Sequence, residues 1–430
     1  MSTLPSSPLA VALTYVPRVS LALCAAGPTM RQQGETEDGE RGQRPGGDGP
    51  LLAALTGVAW TRHDGVPHQH CCCTVDMRDT RGLRGTVWWL QLAHPRALQL
   101  QLIGAPAAAA AVAALLDALL APLGAAVQAL AVVEACPRGR YLRNVAAVGG
   151  LCQLAELDLR DTAVADLRPL RACRLLRRLL LSFCEGLRDL AGLEGLDRLA
   201  VLHLAGTRVE DLTPLRGCGG LRELSVYKCV RVRSLAGVEA LSLLEDLDLG
   251  YTAVSDLTPL RGCPGLLRLS LCECEEVFSL EGLEGLTALR ELVVGCAAVC
   301  DVRPLATCRQ LRELRMEGCL CLGSLAGIEH LTGVEQLALS DAIVHDLREL
   351  HGCARLRRLA LSNCGYLRSL EDLTGVAALE ELTLSHMRRI KRLEVLRDCR
   401  ALRKVELYNI DQSMDVEPLA HVPHLEVVRV

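Results

Sequence analysis

The stretch HDGVPHQHCCC, from His63 to Cys73, packs three histidines and three cysteines into eleven residues. Imidazole and thiolate are the ligands of zinc and copper, and a surface thiol can also carry an acyl chain. His63, His68, His70 and Cys71 are the residues that would ligate an ion. Contiguous cysteines cannot all reach one tetrahedral ion without strain, and Cys-x2-Cys spacing is absent. The expectation is therefore a loop entering a cysteine-rich strand, with no metal and no cofactor.

A second group is periodic. Asp166, Asp211, Asp256, Asp301 and Asp346 recur every forty-five residues, and the slot between them holds Asp189, Ser234, Ser279, Ser324 and Ser369. A row of carboxylates could bind metal, but serine in alternate copies could not. Asp alternating with Ser ahead of an apolar turn is the chemistry of a cap, in which a short side-chain oxygen accepts free backbone N–H groups. Pro169, Pro214, Pro259 and Pro304 follow inside the first turn, where a missing N–H costs little.

The chain holds 21 cysteines, and most are periodic too. Cys173, Cys218, Cys263, Cys308 and Cys353 alternate with Leu196, Leu241, Leu286, Leu331 and Val376, so cysteine stands in for a buried aliphatic. Cys184, Cys229, Cys274, Cys319 and Cys364 alternate with Thr162, Thr207 and Thr252 at a position just after a strand. Within a column the cysteines lie two repeats apart, about 10 Å by strand spacing, and a bridge needs Cα atoms within about 7 Å. Free, buried thiols are expected, which points to a reducing, intracellular and cytoplasmic setting. Cys272, Cys296, Cys300 and Cys321 form a looser group in neighbouring units, where a redox or metal role would have to sit.

No G-x-x-x-x-G-K-S/T, H-E-x-x-H, G-x-S-x-G or G-x-G-x-x-G occurs, and no Ser/His/Asp group stands apart from the repeats. No enzymatic activity is expected.

These columns need an element to hold them. RVEDLTPLRGCGGL (208–221) returns as AVSDLTPLRGCPGL (253–266). From Leu154 onward, L-x-x-L-x-L recurs at Leu176, Leu199, Leu221, Leu244, Leu266 and on to Leu425, in steps of 22 or 23. This period and motif mark a leucine-rich repeat: a short strand with leucines inward, a turn, a second apolar step, then the next strand. One unit cannot bury its own face, so stacking must close the core. Thirteen such strands are expected in one parallel sheet.

The fold class read here is α/β: a curved leucine-rich repeat solenoid of about 12 repeats over 126–430, with a small α/β capping region at 51–125. Within the cap, 97–104 (ALQLQLIG) reads as a strand and 105–121 (APAAAAAVAALLDALLA) as a helix of strong formers. Val127, Leu130 and Val132 read as a degenerate first unit. Residues 1–50 include the polar, glycine-rich RQQGETEDGERGQRPGGDGP and read as disordered. The opening MSTLPSSPLAVALTYVPRVSLALCAAGP looks faintly like a signal peptide, but it lacks a basic start and Pro17-Arg18 interrupts it.

Composition fits one small-grained packing unit used many times: 50% hydrophobic residues but only 3% aromatic. Net charge is −4 with no basic block, which gives no support to a nucleic-acid partner. No apolar run reaches the ~18–20 residues needed to span a bilayer.

If the constant columns are structural, function belongs to the variable x positions of L-x-x-L-x-L-x, which face the concave side. The candidate partner-binding residues are Glu156, Arg178, Glu223, Tyr227, Asp246, Arg268, Glu291, Glu313, Arg315, Arg358, Glu381, Lys404 and Tyr408. They would form a mixed-charge surface for a protein partner.

D-L-T-P-L with L-x-x-L-x-L and 22-residue steps resembles the internalin-like leucine-rich repeats. The cysteine after the strand is similar to the repeats of F-box-type proteins. The Thr/Cys alternation with arginine- and alanine-rich filling resembles the leucine-rich repeat family of kinetoplastid protozoa, over roughly 150–430. The resemblance implies a protein-binding scaffold without catalytic residues. Internalins carry Asn after the strand where this chain has Thr or Cys, which weighs against their extracellular adhesion role. Two other roles fit the same architecture: the substrate-recognition adaptor of a larger complex such as a ubiquitin ligase, and a secreted or surface adhesin. The final HLEVVRV stops mid-unit, and an uncovered edge there would favour self-association.

Overall fold

The computed structural model describes residues 70–76, 90, 95–103, 109–124, 126–135, 140–295, 298–410 and 415–429. The segment 1–50 and the histidines His63 and His68 lie outside them. All described residues belong to the compact unit Gly49–Val430.

Alternating leucines make strands, and the strands stack strictly in chain order into one 16-stranded parallel sheet. The first three are β1 (His70–Asp76), β2 (Ala97–Ile103) and β3 (Ala129–Ala135), with helix α1 (Ala109–Leu120) between β2 and β3. The periodic strands follow: β4 (Glu156–Asp158), β5 (Arg178–Leu180), β6 (Val201–His203), β7 (Glu223–Ser225), β8 (Asp246–Asp248), β9 (Arg268–Leu271) and β10 (Glu291–Val294). The sheet ends with β11 (Glu313–Met316), β12 (Gln336–Ser340), β13 (Arg358–Ser362), β14 (Glu381–Ser385), β15 (Lys404–Ile410) and β16 (His424–Arg429).

Thirteen strands were expected, and the periodic region supplies them as β4–β16. The count rises to sixteen because β1–β3 continue the same sheet: Leu98 pairs with Leu130, and Leu130 with Leu157. The upstream helix and strand therefore lie within the sheet's own stacking order. Their core residues, among them Leu100, Leu116, Leu119 and Val132, join one cluster with the repeat leucines.

Most repeats turn back through a short 3₁₀ segment such as Thr213–Gly217, whose Leu215 is fully buried beneath it. The Asp/Ser column holds this turn, through an N–H two residues on rather than a helical first turn. Asp211 Oδ1 accepts from Thr213 N–H at 2.9 Å, Asp256 from Thr258 at 2.9 Å, Asp166 from Arg168 at 3.0 Å, and Ser234 Oγ from Ala236 at 3.1 Å. Asp346 departs: it pairs with Arg348 Nη2 at 3.0 Å, while Leu347 N–H goes to Asp372 Oδ2.

Both cysteine columns are buried and free. Cys173, Cys218 and Cys263 each donate to a carbonyl of the preceding repeat, at Val148, Leu193 and Val238, from 3.3 to 3.5 Å. In the post-strand column, Leu159 O accepts both Thr162 Oγ1 at 2.8 Å and Cys184 Sγ at 3.1 Å. Leu249 O likewise takes Thr252 Oγ1 at 2.7 Å and Cys274 Sγ at 3.1 Å. Small donors thus satisfy carbonyls that leave the sheet at its edge. Burial pushes the Cys218 and Cys263 thiols up to about 11.

Candidate functional site

The outward side chains of successive strands fall into rows, because the backbone register holds from strand to strand. The first row runs Glu156, Arg178, Val201, Glu223, Asp246, Arg268, each the Cα partner of the next. It continues through Glu291, Glu313, Gln336, Arg358, Glu381 and Lys404. All the charged residues expected on the concave face therefore do share one face. Arg315 lies in the second row and Tyr408 in the third, opposite Ser385.

Their electrostatics differ along the row. His203 Nε2 lies 2.6 Å from Glu223 Oε1, and that hydrogen bond holds the Glu223 carboxyl below its ordinary range. Arg268 Nε reaches Asp246 Oδ2 at 2.7 Å, yet burial outweighs the ion pair and pushes Asp246 up. Asp248 is pushed up by burial as well, although it accepts Gly250 N–H at 3.1 Å. Glu291 stands directly beside Glu313 in register, and burial and then that neighbouring charge raise its carboxyl. Arg315 reaches Glu313 at 2.5 Å, and Lys404 reaches Glu406 at 2.5 Å. Arg178 and Arg358 make no ion pair within 4.0 Å among the described residues. The face is thus acidic at its centre, around β7–β11, with free guanidinium groups toward each end.

An aromatic group flanks the acidic centre. Tyr227 meets Tyr251 edge-on at 5.4 Å between centroids, and Lys228 Nζ lies 5.3 Å and 5.4 Å from the two rings. The sequence pointed to Tyr227 but not to Lys228 and Tyr251. These two belong to a post-strand column with left-handed backbone, φ 58° at both, shared by Asp161, Phe183, Glu273, Asp341 and Asn363. Glycine fills the same column at Gly206 and Gly318. Each non-glycine member costs about 1–2 kcal/mol of backbone strain. The signal in the sequence is the 22/23 step that links 228 to 251.

Of the four candidate metal ligands, two fall among the described residues. His70 and Cys71 open β1, and His63 and His68 lie outside the described residues. Among the described residues, no group of three His, Cys, Asp or Glu side chains could hold an ion. No helix there is long and apolar enough to cross a membrane.

No protein-family model and no curated protein matches the chain. Solved structures do. Internalin InlF from Listeria monocytogenes superposes with a TM-score of 0.60 at 20% identity, covering 67% of this chain and 84% of that one. The chain has the leucine-rich repeat solenoid fold, similar to that of this internalin. The same repeat fold appears in a TLR13–ssRNA13 complex, with a TM-score of 0.58 and 16% identity over 78% of this chain and 53% of that one. The Drosophila Toll–Spatzle complex matches with a TM-score of 0.55 and 14% identity, over 85% of this chain and 54% of that one. Identities this low speak for the fold alone. In this leucine-rich repeat solenoid, Thr and Cys occupy most of the post-strand column, with Ala342 and Met387 in later repeats.

Proposed function

We propose that this chain is a non-enzymatic scaffold that holds a protein partner on the concave face of its sheet, and that the partner presents a basic surface. The observation that carries the reading is the pair Glu291 and Glu313, side by side in register on adjacent strands. Like charges directly opposite destabilise a sheet. A basic partner side chain set between them would offset that cost. Asp246 and Asp248, both pushed up by burial, extend the same acidic centre. Tyr227, Tyr251 and Lys228 supply the aromatic anchor such interfaces use. Solved neighbours of the same fold include one complex with a protein and one with RNA. Here the acidic centre and the net charge of −4 favour a basic protein over a nucleic acid.

The buried, free thiols of the two periodic columns support an intracellular, cytoplasmic setting.

The test uses the full chain as bait in native extract, beside Glu291→Gln/Glu313→Gln and a convex-side control, Arg216→Gln. A protein captured by the parent and the control and lost from the double variant supports the concave site. Equal capture by all three removes the concave face from the function.

A further inference from the structure

Two cysteines stand apart from the buried columns. Cys300 and Cys321 are both exposed, one in the return segment after β10 and the other in the return segment after β11. The sequence grouped them with Cys272 and Cys296. Cys272 is half-buried, and Cys296 lies outside the described residues.

Their positions belong to a diagonal lane that recurs along the solenoid. After each strand, a buried apolar residue begins the return: Val164, Val209, Val299, Val344 in one set of repeats, and Leu187, Val232, Leu322, Leu367 in the next. The residue following the first kind faces the residue preceding the second. At positions 210/231 and 345/366 the two side chains meet, whereas Ser255 and Glu276 make no such contact. Arg231 Nη1 reaches Glu210 Oε1 at 2.5 Å. His345 and Tyr366 stack edge-on at 5.5 Å. A Cβ built on Gly186 would stand 3.4 Å from the Ala165 Cβ. Cys300 and Cys321 fill this lane between β10 and β11, and a disulfide requires Cβ atoms about 3.5–4.5 Å apart. Cys300 Sγ donates to Ala298 O at 3.3 Å, and desolvation and then the neighbouring Cys321 push its thiol up. The buried columns lack this arrangement, since their neighbours in the next repeat are Thr, Leu, Val, Ala or Met.

We propose that Cys300 and Cys321 form a reversible disulfide that staples neighbouring repeats at the middle of the sheet. The oxidant is a low-molecular-weight disulfide of the glutathione class. One cysteine thiolate attacks it, forming a mixed disulfide and expelling one small thiolate. The second cysteine then attacks the mixed disulfide and expels the other. Both cysteines end oxidised, the small disulfide ends as two thiols, and the two cysteine protons reside on those thiols.

The full chain, reduced and then freed of reductant, is treated with oxidised glutathione while native. It is then alkylated in denaturant, digested and read by mass spectrometry. The expected product has lost two hydrogens, contains a linked Cys300–Cys321 peptide, and carries alkyl groups on the buried-column cysteines. Cys300→Ser and Cys321→Ser, both at exposed positions and checked for folding by circular dichroism, should each lose the link and leave a glutathione adduct on the remaining cysteine. The oxidised parent should also melt higher than its reduced form, a shift absent from both variants. Stable glutathione adducts on both cysteines of the parent, a link from Cys300 to any other residue, or no reaction at either position overturns the proposal.

Discussion

Removing the charge of Glu291 should make the protein more stable while weakening its hold on a partner. Glu291 and Glu313 are register partners on β10 and β11, about 5 Å apart by strand spacing. Coulomb's law at that separation gives ~0.8–3 kcal/mol of repulsion for effective dielectrics between about 80 and 20. Both carboxylates retain contact with solvent, so the lower part of that range applies. Arg315, 2.5 Å from Glu313, cancels part of it. Glu291→Gln should therefore raise the unfolding free energy by about 0.5–1 kcal/mol at pH 7 and low salt.

The pH dependence has a definite sign. Glu291 carries a folded-state pKa above its ordinary value. Its destabilising effect is absent where it is protonated in both states. The effect grows as pH rises from the unfolded value toward the folded one, and it is complete above that. The advantage of the Gln variant over the parent should shrink toward zero as pH falls through the carboxylate range, and should also shrink in 1 M salt. Urea unfolding followed by circular dichroism at pH 7 and pH 4 reads both effects. In a double-mutant cycle with Glu313→Gln, the second substitution should gain less than it does alone. A Gln variant that is less stable than the parent at pH 7, or whose effect ignores pH and salt, would refute the reasoning and remove the main support for a basic partner.

Two further outcomes test the structural columns. Asp211→Ala should cost about 1 kcal/mol, because it frees Thr213 N–H and Thr213 Oγ1 together, whereas Asp211→Ser should stay within about 0.5 kcal/mol of the parent; equal costs in urea unfolding would mean that the column has another role. Gly237→Ala should cost at least about 2 kcal/mol, since φ is 105° and the new Cβ would stand 2.5 Å from Leu212 O, while Gly285→Ala, at φ 90° with open space, should show the backbone strain alone; matched thermal melts separate close approach from strain.

The repeat period, the strand positions and the identity of each column were all readable from residue types. Every repeat solves the same packing problem, so a leucine, a cap or a buried thiol reappears at the same offset. That is why Glu156 through Lys404 could be assigned to one face before any coordinates. The motif marks β3 through the degenerate unit at Leu130 and Val132, but it does not mark β1 and β2 as members of the same sheet. β1 sets Cys71 and Cys73 opposite Leu98 and Leu100, and the register partners His70, Ala97, Ala129 and Glu156 lie further apart in the chain than the 22 or 23 residues of later repeats, so the period is absent although the pairing is the same.

What sequence alone determined is therefore the periodic part: fold class, turn chemistry and the lanes of the concave face. Tertiary structure decided which residues of neighbouring repeats actually touch. The pairing of Arg268 with Asp246, the partial relief of Glu313 by Arg315, and the turn of Tyr251 toward Lys228 all depend on stagger between repeats of unequal length. Stagger comes from how one repeat's backbone seats on the next. A one-dimensional period records the order of the lanes but not the diagonal contacts between them.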